Sequence, residues 1–277
     1  MDYKIVVDSS CDLTPELREK IGAVSIPLSL MLDGQAYTDD DDLDLPAFMR
    51  SMMACTGKIG SASPSPDLYK EAFSGAHTSF AVTLSGNLSG SYESAILGKN
   101  MAGEDSPADV HVFNSKSASA GEILIAFKIR NMIDSGIAKM KIISGIDKFI
   151  GDMKTYFVIE NIDNLLKNGR LNKLTGKIIS VLGIKPIMGA DEEGNIALFT
   201  QARGAKQIIE KMTGVIHKSG KNTEGADIVI THCGNPTLAE KLADAVRSRF
   251  NFKNIIVLPT RGLSSLYVND QGVIMAF

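Results

Sequence analysis

Two stretches rich in hydroxyl groups are the first candidates for chemistry. Gly60-Ser61-Ala62-Ser63-Pro64-Ser65-Pro66 precedes an amphipathic segment, and Thr83-Leu84-Ser85-Gly86-Asn87-Leu88-Ser89-Gly90-Ser91-Tyr92 joins an apolar run to another. A loop that ends at a helix N-terminus offers unpaired N–H groups and the positive end of the helix dipole, which suits a carboxylate or a phosphate. Serine hydroxyls add donors there without adding charge. The same residues also serve as ordinary helix caps and turn formers. Ser89 falls short of a hydrolase nucleophile elbow, because Gly86-Asn87-Leu88-Ser89-Gly90 misses G-x-S-x-G by one residue. His232 follows an expected strand, but no motif pairs it with a serine. The phosphate-cradling patterns GxxxxGK[ST] and GxGxxG are absent, so a nucleotide site has no support.

The second half contributes Asn168-Gly169-Arg170-Leu171 and Gln201-Ala202-Arg203-Gly204. An arginine beside glycine in a loop can approach an anion closely and pair with it through a bidentate fork; taken singly, such residues are usually solvated. Asp39-Asp40-Asp41-Asp42 lacks the spaced ligands of a calcium loop and reads as an acidic turn. His77 and His111 have no partner spacing and read as structural. Cys11, Cys55 and Cys233 are odd in number and far apart, which indicates neither a zinc site nor a disulfide framework. The 12 methionines would line a pocket for a flexible apolar ligand as readily as an ordinary core.

The elements that must position these residues alternate. Ile5-Val6-Val7 is a short β-branched run ending at Asp8, as buried parallel strands do. Thr14-Pro15-Glu16 predicts a helix start with Thr14 as cap. Val24 to Met31 reads as one strand, followed by a hairpin turn at Asp33-Gly34. Helices are expected from Asp44 to Met53, Ser65 to Phe73, Gly90 to Met101, Ser117 to Ile133 and Ile142 to Met153. Strands are expected at Phe80–Leu84 and Val110–Phe113. Beyond them come strand Tyr156–Ile159, a hairpin around Asp191–Asn195, helices Ala205–Lys218 and Leu238–Phe250, strands Asp227–Thr231 and Ile255–Leu258, and a last strand Gly272–Phe277. This alternation predicts an α/β protein of two domains, 1–150 with a mainly parallel sheet and 151–277 with a mixed one.

Composition narrows the function classes. With 44% apolar and 22% charged residues the chain is globular, and a net charge of −3 favours neither nucleic acid nor a membrane surface. No apolar run is long enough to span a bilayer and no secretory leader opens the chain, so the expected location is cytoplasmic.

Taken in order, the motifs resemble those of the bacterial DegV family. Val6-Val7-Asp8-Ser9-Ser10-Cys11-Asp12-Leu13 is similar to the opening "VDSSxDL", Ser61-Ala62-Ser63-Pro64-Ser65 to "TSQPS", and Leu88-Ser89-Gly90-Ser91-Tyr92-Glu93-Ser94-Ala95 to "LSGTYQSA". Leu165 to Leu171 resembles "LKKGGRI", Ile184-Lys185-Pro186-Ile187 resembles "IKPIL", and Arg203 falls at the family's second arginine. The resemblance implies a long-chain fatty acid held between the two domains, with no other cofactor, metal or catalytic residue in the chain itself. It implies carboxylate contacts from Ser61, Ser63, Ser89 and Gly90, with Arg170, Arg203, Asp39 and Asn269 near the carboxylate or on a surface that meets a separate ATP-dependent fatty acid kinase. Membrane contact would be transient at most. The chain departs from the pattern twice. Ser61 and Ser63 replace a threonine and a glutamine, and Ala62 replaces a serine. The C-terminal "HTGPGALG" is missing, its place taken by Tyr267-Val268-Asn269-Asp270-Gln271-Gly272, where Asn269 is the neutral donor and an ionised Asp270 would repel an anion. A serine-hydrolase-like or phosphotransfer enzyme, or a carrier of another anionic lipid, are the alternatives.

Overall fold

A computed structural model describes residues 3–75, 78–105, 109–171 and 183–277; His77 lies outside them. The chain begins β1 (Tyr3–Asp8), a 3-10 turn (Ser9–Cys11), α1 (Pro15–Ile21), β2 (Ala23–Ile26), β3 (Ser29–Leu32), β4 (Gln35–Thr38) and α2 (Leu45–Ala54). It continues β5 (Ile59–Ala62), α3 (Pro66–Phe73), β6 (Thr78–Thr83), α4 (Ser91–Asp105), β7 (Asp109–Asn114), α5 (Ala120–Asp134) and α6 (Lys139–Asp152). The remainder is β8 (Thr155–Val158), α7 (Asp163–Lys167), β9 (Ile184–Ala190), β10 (Ile196–Arg203), α8 (Gly204–Ser219), β11 (Asp227–His232), α9 (Pro236–Arg247), β12 (Asn254–Pro259), α10 (Gly262–Val268) and β13 (Val273–Ala276).

Three sheets result. The first is wholly parallel in the order β2-β1-β6-β7. Its central strands β1 and β6 are buried on both faces, which is why they read as continuous apolar runs. Ile5 and Val7 of β1, with Phe80 and Val82 of β6, pack on α5, whereas Val6 and Ala81 point to the opposite side with Tyr69 and Phe73 of α3. The second sheet, β4-β3-β5, is antiparallel and extends this first α/β region. The third, β10-β9-β8-β13-β11-β12, is mixed and forms the other α/β region; only β11 and β12 run parallel. Helix α5 touches β1 and β6 on one side and β11 and β13 on the other. Its Ile123, Ile125 and Ile129 are fully buried, each a gain of ~1.5–3 kcal/mol from apolar burial. The two regions therefore share one continuous core.

Local chemistry explains most element ends. Thr14 accepts a hydrogen bond from the Leu17 amide at 3.3 Å, and Asp44 accepts one from Ala47 at 2.9 Å. The turn between β3 and β4 has Asp33 at φ 47° and Gly34 at φ 86°, the paired positive values of a type I′ hairpin. The single strand expected from Val24 to Met31 is instead two, in different sheets. Pro27 has no N–H to continue a ladder, and the next amide, Leu28, donates to Ser9 Oγ at 3.1 Å. Strand β5 and helices α7 and α10 were not foreseen from the sequence. Among the described residues no helix is long and apolar enough to cross a membrane.

Candidate functional site

In the parallel sheet, β1 connects outward to β2 and β6 connects the other way to β7. Such a switch point opens a crevice at the carboxyl ends of the two central strands, where α/β proteins place their ligands. Three loops converge there. Ser10 follows β1, Leu84, Leu88 and Ser89 follow β6, and Lys116, Ser117 and Ala118 follow β7; all line one narrow cavity. The opposite wall is the face of the mixed sheet, with Thr155 and Phe157 of β8 and Ile274 of β13. Leu263, Ser264, Tyr267 and Val268 close one side from α10, and Ser61 of β5 lies beside them. The exposed wall is almost wholly hydrocarbon.

The cavity has direction. Along β8, Thr155 and Phe157 mark successive inward positions, and the chain then runs on through α7 to Arg170. Strand β13 runs antiparallel beside it, so Tyr267, before that strand, sits at the same end as Arg170. At this end Ser61 Oγ and Tyr267 Oη are 2.9 Å apart. The Arg170 guanidinium lies 5.7 Å from the centre of the Tyr267 ring, and its Nε donates to the Leu88 carbonyl at 3.1 Å. Ser89 Oγ accepts from the Ser91 amide at 3.2 Å, which leaves its own proton to donate. The far end holds the buried pair Ser117 Oγ and Thr155 Oγ1, 2.7 Å apart. There the turn between β9 and β10 is clasped by the first region: Ser85 Oγ donates to Gly194 O at 2.8 Å, Asn87 Nδ2 to Glu193 O at 2.8 Å and Lys116 Nζ to Glu192 O at 2.9 Å.

The expected site residues divide. Ser61, Ser89 and Arg170 are on the cavity wall together. Ser63 and Gly90 are not among the wall residues and pack against each other, a Cβ on Gly90 coming within 3.2 Å of Ser63 Oγ. Arg203 is exposed at the end of β10, away from the wall. Asp39 is interior rather than at a surface: it is 1% exposed and accepts hydrogen bonds from the amides of Gly262 and Leu263 at 3.0 and 2.9 Å, capping α10. Asn269 turns away from the cavity, donating to the Asn161 carbonyl at 3.2 Å and accepting from Asn164 Nδ2 at 3.1 Å. The hydroxyl that this segment brings to the cavity wall is that of Tyr267, missed in the sequence although it heads the stretch that replaces the family's histidine motif. No histidine lines the cavity among the described residues, and His232 has its Nδ1 buried without a hydrogen-bond partner.

Behind the wall sit carboxyl groups that the sequence did not single out as a set. Asp8, Asp12 and Glu122 are at most 1% exposed. Burial penalises the charged form and pushes Asp8 up to about 6 and Asp12 to about 7, and it raises Glu122 well above the usual carboxylate range. Asp12 accepts from Ser119 Oγ at 2.5 Å and from the Arg261 amide at 2.6 Å. Asp41, in the exposed part of the acidic run, pairs with Arg18 and Arg261, and the bond to Arg18 holds it below the usual range.

The chain matches the model of the DegV family, described as uncharacterised proteins, over residues 2–273. A DegV domain-containing protein of Streptococcus pneumoniae is 36% identical over 282 residues, covering 100% of this chain and 99% of that protein. Two solved structures superpose closely. A DegV family protein of Ruminococcus gnavus, refined with vaccenic acid, has a TM-score of 0.94 at 36% identity and covers 99% of each chain. The fatty acid kinase B3 protein of Streptococcus pneumoniae, loaded with linoleic acid, has a TM-score of 0.93 at 36% identity and covers 100% of this chain and 99% of that one. With its switch-point cavity and a family match spanning nearly its whole length, this chain belongs to the DegV family.

Proposed function

We propose that the protein binds a long-chain fatty acid in this cavity and presents its carboxylate to a separate ATP-dependent fatty acid kinase, without catalysing turnover itself. The observation that carries the reading is a hydrocarbon-walled cavity ending at Ser61, Ser89, Tyr267 and Arg170. An acyl chain gains ~0.8 kcal/mol for each methylene buried. A buried carboxylate is tolerated only when hydrogen-bonded, and three hydroxyls with one guanidinium meet that need. The hydroxyls fix which end of the ligand is held, and the hydrocarbon wall supplies most of the affinity. Arg203, exposed and clear of the wall, suits contact with the kinase and with a developing phosphate. The two relatives, one refined with vaccenic acid and the other a fatty acid kinase B3 protein by name and loaded with linoleic acid, support both halves of the proposal.

The test is organic extraction of the protein purified from a bacterial host, followed by mass spectrometry. A copurified fatty acid of about 14–18 carbons is expected, a length whose burial gives a gain of the size above. Recovery of nucleotides or sugars alone would refute it.

A further inference from the structure

Asp8 and Glu122 lie within hydrogen-bonding reach of each other beneath the ligand loops, both hold Ser10, and each is fully buried. Asp8 Oδ2 accepts from the Leu84 amide at 3.0 Å and from Ser91 Oγ at 2.6 Å, the two ends of the loop that carries Leu88 and Ser89. Its Oδ1 accepts from the amide of Ser10, a wall residue, at 3.2 Å. Glu122 Oε1 accepts from Ser10 Oγ at 2.5 Å and from the Ser119 amide at 3.2 Å. Glu122 Oε2, in contrast, finds no donor.

We propose that Glu122 carries a proton on Oε2 which it shares with Asp8, and that this carboxylic acid–carboxylate pair is the positioning device for Ser10 and the Ser89 loop. The assignment of the proton follows from the donors. Three donors converge on Asp8, so it stays ionised, whereas an oxygen without a donor beside a carboxylate is where a carboxyl hydrogen belongs. Two adjacent buried carboxylates cannot both ionise without a large penalty. The groups that face the pair from neighbouring elements are neutral or acidic. Tyr69 of α3 bonds Ser91 Oγ at 2.7 Å, and Cys11 and Asp12 extend from the 3-10 turn. Burial and the nearby acids keep the Tyr69 hydroxyl and the Cys11 thiol protonated. Only Asp12 and the pair itself can change charge.

The role in binding rests on the fatty-acid reading above, whereas the shared proton does not, and the experiment separates them. Acyl-ligand affinity is measured for wild type, Glu122→Ala, Glu122→Gln and Asp8→Asn from neutral to alkaline pH, with folding checked by circular dichroism. Glutamine keeps the acceptor for Ser10 and supplies an N–H in place of the acid O–H. Glu122→Ala should weaken binding about tenfold or more, and Glu122→Gln should restore it. Wild type should lose affinity as alkaline pH strips the shared proton, and Glu122→Gln should not. Asp8→Asn should bind about as weakly as Glu122→Ala, since its amide turns a donor either toward the Ser10 amide or toward both Leu84 and Ser91. A Glu122→Gln protein as weak as Glu122→Ala, or one with the alkaline profile of wild type, overturns the proposal. An infrared difference spectrum of wild type minus Glu122→Gln, at about pH 8, should show the carbonyl band of a protonated carboxyl. Its absence overturns the shared proton with or without ligand. The band in a protein that yields no fatty acid would uphold the proton and refute the fatty-acid reading. Should Asp8→Asn not fold, the glutamine comparison and the infrared band decide.

Discussion

The hydroxyls of Ser61 and Tyr267 lie 2.9 Å apart although 206 residues separate them in the chain. One stands on the edge strand β5 and the other on the last helix, so the contact exists only when both are docked. Tyr267→Phe removes the hydroxyl but keeps the ring beneath Arg170. Fatty-acid affinity should fall by ~1–3 kcal/mol, the usual cost of removing one buried hydrogen-bond partner. Thermal stability should change little. Calorimetric titration beside a melting curve checks both, and unchanged affinity would remove Tyr267 from the carboxylate site.

Ser89 and Arg203 should separate binding from partner chemistry. Ser89 lines the cavity, so Ser89→Ala is expected to weaken acyl binding by ~1–3 kcal/mol. Arg203→Ala should leave ligand retention nearly intact and abolish acyl-phosphate formation with a cognate kinase. Ligand retention by mass spectrometry and phosphorylation in a reconstituted system form the paired measurement. An emptied Arg203→Ala protein beside a full Ser89→Ala protein would reverse the two roles.

Much of this arrangement was legible in the sequence, because local chemistry wrote it. The apolar run ending at Asp8, the Thr14 cap with Pro15, and the Asp33-Gly34 turn depend on neighbours a few residues away, and each forms where expected. Strand β5 was hidden because Ile59-Gly60-Ser61-Ala62 has no alternation of its own and becomes a strand only by pairing with β3. Helix α10 was hidden for a similar reason. Gly262-Leu263-Ser264-Ser265-Leu266-Tyr267-Val268 carries no cap of its own, and its N-terminal amides are satisfied by Asp39, from the other end of the chain. Tyr267 stayed out of sight with the helix that carries it.

That remote cap has a measurable weight. Asp39→Ala should cost ~0.5–2 kcal/mol of stability, the range for losing a helix N-terminal cap. It should also weaken acyl binding, since α10 brings Tyr267 to the cavity. Urea unfolding and ligand titration on the same variant test the two effects. A loss of stability with full affinity would mean that α10 holds its place without Asp39.

Asp12 should give stability a slope with pH. Its carboxyl is raised from 3.8 to about 7 in the folded protein because burial penalises its charge. The folded state therefore holds a proton that the unfolded state has released. The associated stability is fully present below about pH 4 and is lost as pH rises through about 7, a change of up to ~4 kcal/mol. Asp12→Asn keeps an acceptor for the Arg261 amide and can donate to Ser119. It should flatten the slope by that amount, while Asp8 and Glu122 still contribute. Chemical denaturation at about pH 5 and pH 8 should capture ~2.5 kcal/mol of that change, and parallel slopes for the two proteins would contradict it.

The clasp on the β9–β10 turn grips main-chain carbonyls and ignores side chains. Ser85, Asn87 and Lys116 hold the oxygens of Gly194, Glu193 and Glu192. Mutational drift at positions 192 and 193 can therefore alter charge and size while the turn stays seated at the far end of the cavity. Position 194 has no such latitude. A Cβ there would come within 2.4 Å of Ser85 Oγ, and its φ of +83° already excludes most side chains. One turn thus combines two residues whose side chains the clasp does not touch with a fixed glycine, and descendants of this chain could recolour the tip's surface charge while keeping the clasp on the cavity it closes.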